Sequence, residues 1–175
     1  MTADFGTARA VDARAFGEPG QRTFQLRIVG GNLESASLWL EKQQMQALSL
    51  ALTQVLSQLG RAEGSGQDIG SFPESPEHDF RVGRMAIGFD SAEGNVVLQV
   101  FEISRGEEEE APDVQVRITD DACASLNTRL QEIIASGRPQ CGLCGEVIDP
   151  AGHACIRSNG HSKEPIPEER FDDEP

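Results

Sequence analysis

The chain has 175 residues and 38% hydrophobic content, enough for one ordinary domain with a small appendage. Its core must be mostly aliphatic, because it holds eight Phe, one Trp and no Tyr, and its net charge of −14 counts against phosphate backbones and anionic membranes as main partners. The opening MTADFGTARAVDARAFGEPG lacks an apolar export segment and no run approaches ~18 apolar residues, so the four cysteines read as metal ligands or thiols of a cytoplasmic protein rather than as a disulfide framework.

Ala8–Phe16 is predicted as a first strand, ending in Gly17-Glu18-Pro19-Gly20, where Pro followed by Gly fits the centre of a type II turn. Thr23–Val29 alternates Phe24, Leu26 and Ile28 with Gln25 and Arg27, the pattern of a half-buried strand. Gly30-Gly31-Asn32 turns it into a third strand, Ala36–Leu40, and a helix follows over about Glu41–Leu59, stopped by Gly60. Residues 61–78 carry Gly, Ser, Pro and acids without periodicity and read as a mobile linker.

The plan then recurs. Phe80–Phe89 is a strand, the turn Asp90–Asn95 leads to Val96–Ile103, and an acidic loop Ser104–Pro112 precedes Val114–Ile118. A helix from about Asp120 to Ser136 completes the set, with Thr119 or Asp120 as its cap. Moved by 78 positions, Leu38, Leu40, Met45, Leu48, Leu52, Val55 and Leu56 fall on Val116, Ile118, Cys123, Leu126, Leu130, Ile133 and Ile134 without a gap. Pro19-Gly20-Gln21 matches Glu93-Gly94-Asn95 at an offset of 74, and the acidic loop absorbs the difference. The predicted fold is α+β: tandem βββα repeats related by a pseudo-twofold, with antiparallel sheet and two helices burying their apolar faces together. The boundaries are 1–60 for the first repeat, 61–78 for the linker, 79–138 for the second repeat, 139–162 for a zinc knuckle and 163–175 for an acidic disordered tail.

The strongest chemical signal is RPQCGLCGEVIDPAGHACIRSNGH, Arg138–His161. Cys141 and Cys144 are spaced to aim both thiolates at one point from a tight turn, with Gly142 and Gly145 freeing the backbone to curl. The turn Asp149-Pro150-Ala151-Gly152 returns the chain, and His153, Cys155 and His161 are the candidates for the remaining ligands. Zinc takes four such ligands at about 2.0–2.3 Å in a tetrahedron, and Cys141, Cys144, His153 and Cys155 supply the most compact set, with His161 as the rival to His153. A redox pair would open a helix, whereas Gly145–Pro150 reads as strand and turn; four protein ligands also leave no open position for a catalytic water.

Cys123 occupies the Met45 position of the second helix and reads as a buried apolar residue. Trp39 alternates out of phase with Leu38 and Leu40, which places it on the second face of the sheet, covered by the knuckle or linker or else open to a partner. His78 reads as a surface histidine, Gly64-Ser65-Gly66 lacks the context of a phosphate loop, and no nucleophile elbow is present.

Four segments, GEPGQRTFQL (Gly17–Leu26), LEKQQMQAL (Leu40–Leu48), DFRVGRMAIGFD (Asp79–Asp90) and CGLCGEVIDPAGHACIRSNGH (Cys141–His161), resemble in order and spacing a family of uncharacterised bacterial proteins. That family is best known from actinobacteria and is described only as conserved hypothetical or "repeat" protein. The resemblance covers about 8–161 and implies the ligand set Cys141, Cys144, His153 and Cys155, because the family's ending resembles C-x-x-C-G…D-P-x-G-H-x-C. It implies no activity. Recurring Arg22, Glu41, Lys42 and Gln44 either line a shared surface or fix the first turn and the start of the first helix.

Three functions follow from this reading. The first is a soluble binding or adaptor protein with a structural zinc site and a protein partner. The second is an enzyme with a pocket between the repeats, where Arg22, Glu41 and Lys42 face Asp120 and Asp121. Nucleic-acid binding ranks last, since Arg138 and Arg157 in the knuckle are balanced by Glu146 and Asp149.

Overall fold

Nine regular elements follow one another among the described residues: β1 (Ala3–Thr7), β2 (Ala10–Phe16), β3 (Thr23–Val29), β4 (Ser35–Leu40), α1 (Lys42–Gln58), β5 (His78–Asp90), β6 (Asn95–Glu102), β7 (Val114–Ile118) and α2 (Asp120–Ala135). The computed structural model describes residues 2–18, 20–61, 70–103, 111–137, 141–145, 148, 153–155 and 157. They belong to two compact units, Met1–Gly137 and Arg138–Pro175, and every helix and strand above lies in the first. Part of the expected linker (62–69), most of the acidic loop (104–110) and the expected tail (163–175) lie outside the described residues.

The first hairpin forms where the turn residues require it. Gln21 N donates to Glu18 O at 2.9 Å and Gly20 has φ +96°, as the third position of a type II turn demands. That turn sets Phe16 opposite Thr23, and the antiparallel register then places Ala13 on Leu26 and Asp12 on Arg27. The expected strand Ala8–Phe16 corresponds to β2, and one strand more precedes it: β1, in which Phe5 is fully buried.

The seven strands lie in the order β1-β7-β6-β5-β4-β3-β2. The sheet is mixed, which corrects the antiparallel expectation, since β4 runs parallel to β5 and β1 parallel to β7. The first parallel pair exists because α1 and the segment after it carry the chain back before β5 begins, the crossover that parallel neighbours need. The two ends of the row are adjacent in sequence. Only Ala8 and Arg9 separate β1 from β2; Ala8 N donates to Arg117 O of β7 at 2.7 Å, and Arg9 N donates to Val29 O of β3 at 2.8 Å. The row therefore closes on itself. Gly30 and Gly31 are needed at this closure: a Cβ on Gly30 would stand 2.5 Å from Phe5 O, and Gly31 N donates to that same oxygen.

One core joins the sheet and both helices. Leu26, Leu38, Leu98 and Val116 from the strands meet Met45, Leu48 and Leu52 of α1 and Cys123, Leu126 and Leu130 of α2. Each such leucine contributes about 1.5–3 kcal/mol of transfer free energy. Gln44 Oε1 accepts from Glu41 N at 2.9 Å, while Gln44 Nε2 donates to Val82 O and Gly83 O, so the start of α1 is tied to β5. Gly60, at φ +67°, ends α1 with paired bonds from Gly60 N to Ser57 O and from Arg61 N to Leu56 O. Thr119 Oγ1 caps α2 by accepting from Ala122 N. At the other end Arg22 donates to Ser136 O and Ser136 Oγ, placing a cation at the negative terminus of α2.

The other face of β2 and β3 buries charge. The Asp12 side chain is 5% exposed and accepts from Arg27 Nη2 at 2.6 Å, with Arg14 and Arg129 at 3.6 and 3.8 Å. Residues 70–77, expected to be mobile linker, lie against the sheet. The Phe72 ring sits 4.0 Å from the Arg27 guanidinium carbon. Glu77 accepts from Ser35 N and Ser35 Oγ, and the hydroxyl bond above all holds its carboxyl below the usual range.

Asp12→Ala strands the Arg27 guanidinium, whose side chain is 13% exposed, and is expected to cost about 3–5 kcal/mol. Asp121→Ala removes a side chain that is 81% exposed and is expected to stay within about 0.5 kcal/mol. Urea unfolding of both variants checks this; matching midpoints would contradict it.

Candidate metal centre

Two short arms carry the donor atoms. In the first, Gly145 N donates to Cys141 O at 2.8 Å and Gly145 has φ +75°, so the backbone from Cys141 to Gly145 curls through one turn. Gly142 is not in the left-handed region, so Gly145 alone supplies the conformational freedom expected of both glycines. The second arm is the extended stretch His153–Cys155, and Arg157 Nη1 donates to Leu143 O at 3.2 Å between the arms.

The four expected donors converge. One ligand atom from each of Cys141, Cys144, His153 and Cys155 lies within 4.8 Å of the other three. Cys141 Sγ is 3.6 Å from Cys155 Sγ, and Cys144 Sγ is 3.0 Å from His153 Nε2. Thiolates bound to one zinc at ~2.3 Å sit about 3.8 Å apart at tetrahedral angles. These residues are therefore close enough to hold a metal ion, in a donor set compatible with zinc. Cys155 is buried and the other three are half-buried. The rival ligand His161 lies outside the described residues.

Other expected residues are dispersed. Cys123 lies in the core, and burial, with the Asp120 charge second, pushes its thiol up to about 12. His78 is half-buried, its ring 5.5 Å from that of Phe5. Trp39 stands on the second face of the sheet and is half-buried there. Phe16 lies 5.8 Å away, ring to ring, and Trp39 Nε1 donates to Asp79 Oδ1 at 2.6 Å.

Arg22 and Glu41 do not meet Asp120 and Asp121. Arg22 caps α2, Glu41 stands 3.7 Å from Arg81, and both aspartates pair with Arg61. A groove of about 600 Å³ does run beside the α1–α2 contact, lined by Thr53, Ser57, Arg61, Asn127, Thr128 and Gln131 among others. The buried Asp12–Arg27 pair was missed at the sequence level although a signal was present. A hairpin pinned at Phe16 and Thr23 places residues 12 and 27 opposite each other.

The model of a family described as "Protein of unknown function (DUF3090)" matches residues 3–155. The chain belongs to that family. The DUF3090 match begins at the first residue of β1 and ends on Cys155, so it spans all four converging donors and stops before His161. No curated protein and no solved structure matches the chain.

Cys123 makes alkaline stability a probe of the core. An unfolded cysteine loses its proton near pH 8.5, whereas the native thiol keeps it to about 12. Between those values the native state binds more protons, so the contribution is intact below pH 8.5 and falls as pH rises, by at most ~1.4 kcal/mol per unit. Cys123→Ala is expected to show a shallower alkaline loss whatever its stability at neutral pH. Urea midpoints from about pH 8 to 10.5 for the two proteins test this; parallel curves would count against it.

Proposed function

We propose that this chain is a non-enzymatic, cytoplasmic binding module with a protein partner, built from two βββα repeats and carrying one structural zinc. The observation that carries the zinc is the convergence of Cys141, Cys144, His153 and Cys155 within 4.8 Å. Three thiolates and one imidazole fill a tetrahedron, so a bound zinc would have no position left for a reacting water. What zinc supplies there is folding energy for a segment short of apolar residues. The net charge of −14 supports a protein partner over nucleic acid.

The strand registers support duplication. Phe24↔Leu40, Leu26↔Leu38 and Ile28↔Ala36 become Val96↔Ile118, Leu98↔Val116 and Val100↔Val114 at offsets of 72 and 78. The parallel pair Ala36↔His78 has its counterpart in Val114↔Ala3. The hydrogen bond from Trp39 to Asp79 corresponds to one from Arg117 to Asp4. On α1 and α2, Ser49 and Asn127 are 78 positions apart and hydrogen-bond to each other at 2.9 Å, as residues beside a twofold axis would.

A second reading, a ligand or catalytic site between the repeats, is favoured by the α1–α2 groove. Its lining, with Arg61 beside hydroxyl, amide and apolar groups, differs from the set Arg22, Glu41, Lys42, Asp120 and Asp121 anticipated from the sequence.

Metal analysis with thiol titration, on protein purified without chelator, tests the zinc. About one zinc per chain is expected, with Cys123 reacting only after denaturation. Less than ~0.1 zinc, with Cys141 and Cys144 reacting at once, would retire the reading. Stripping the metal is expected to leave the helical circular dichroism intact, because the core cluster of the first unit contains no residue beyond 134. For the partner, capture of one protein in stoichiometric amount, lost in a folded Trp39→Ala variant, is the expected result. Equal capture by the variant would exclude that surface.

A further inference from the structure

We propose that the Cys141/Cys144/His153/Cys155 cluster is also a peroxide-reactive thiol site, where oxidation joins Cys141 to Cys155 and releases the metal. This rests on the zinc reading above. Cys141 Sγ and Cys155 Sγ are 3.6 Å apart, while Cys144 Sγ is directed to His153 Nε2 at 3.0 Å. A disulfide needs ~2.0 Å between sulfurs. The first pair reaches it by a closing of two separate arms.

Cys141 and Cys144 lie in one turn, which Gly145 N closes onto Cys141 O at 2.8 Å, so a link between them would close a local loop, whereas a Cys141–Cys155 link joins the two arms. Exposure then orders the steps within that pair. Cys141 is half-buried and Cys155 is buried, so peroxide meets Cys141 before Cys155.

The chemistry balances with hydrogen peroxide as oxidant. The Cys141 thiolate attacks one peroxide oxygen, the O–O bond breaks, and Cys141 becomes a sulfenic acid as the other oxygen leaves and is protonated to water. The Cys155 thiolate then attacks the Cys141 sulfur; the S–O bond breaks, the S–S bond forms, and the departing hydroxide takes a proton to become the second water. Two thiolates lose two electrons and peroxide gains them. Cys144 and His153 remain, and two ligands do not fill the four positions that zinc requires. Cys123 stays out of the reaction because it is fully buried in the core of the other unit.

The test uses the full chain as purified, with its zinc measured beforehand. Hydrogen peroxide is added in small excess, released zinc is followed with a chromogenic chelator, and the cysteines are then blocked at low pH for peptide mapping. The expected result is about one zinc released for every two thiols lost, a Cys141–Cys155 cross-link as the main product, and recovery of zinc binding after reduction. Zinc retained at peroxide excess, or a Cys141–Cys144 cross-link as the main product, would overturn the proposal while leaving the structural zinc standing. A chain that carries no zinc before oxidation overturns the zinc reading and this one with it, and the initial metal measurement tells the two failures apart.

Discussion

A strand row whose two ends are consecutive in the chain must close, and that constraint organises the Met1–Gly137 unit. Ala8 bonds to β7 and Arg9 to β3, so the short step between β1 and β2 joins the last hairpin of the unit to the first. β1 is thereby held on β7 and β2 on β3. The closure also explains local features that have no reason of their own. Phe5 is driven to full burial, and the β3–β4 turn must carry Gly30 because the β1 backbone lies against it. Leu33, in the same turn, accepts φ +72°, a conformation that costs a leucine about 1–2 kcal/mol and that a free hairpin would avoid.

Much of this was legible in the amino-acid sequence, and the failures have a common physical cause. Local signals worked: the Pro-Gly turn, the alternation in Thr23–Val29, the 3.6-residue spacing of Met45, Leu48 and Leu52, and Gly60 as a stop all correspond to structure. The Cys-x-x-Cys spacing pointed to the cluster of converging donors because thiolate chemistry limits what two cysteines in a tight turn can do. What was lost depends on contacts distant in sequence. β1 has a single large apolar residue, Phe5, and becomes a strand only because β7, more than a hundred residues later, offers an open edge. The sequence leaves Arg22 between a shared surface and the first turn because the helix end it caps lies at Ser136. Residues 70–77 looked mobile because their partners, Arg27 and Ser35, belong to an earlier hairpin.

Charge is handled in two ways in this chain. Asp12, Arg27, Arg14 and Arg129 make a mixed-sign network on the back of β2 and β3, sealed in part by Phe72. Breaking such a network by removing one member costs more than the pair ever contributed, so it fixes strand register more than it adds stability. The cysteine cluster is a different case. Its donors come from arms a few residues long, with Leu143 exposed on the first of them, and a bound ion would tie the two arms together. A segment held in that way would be only as permanent as its ligands' oxidation state.

The helix pair shows what duplication would leave to selection. On that reading Ser49 and Asn127 began as one residue meeting its own copy across an axis. In the present pair Ser49 Oγ donates to Asn127 Oδ1, and Asn127 Nδ2 donates to Thr53 Oγ1 at 2.9 Å. The same divergence leaves the two flanks of the helix pair unlike. Thr128, which lines the groove, corresponds to Leu50, 60% exposed on the opposite flank. A symmetric ancestor would have carried two equal flanks. If the copies arose in that way, a partner or ligand that distinguishes the flanks would have been acquired only after they diverged.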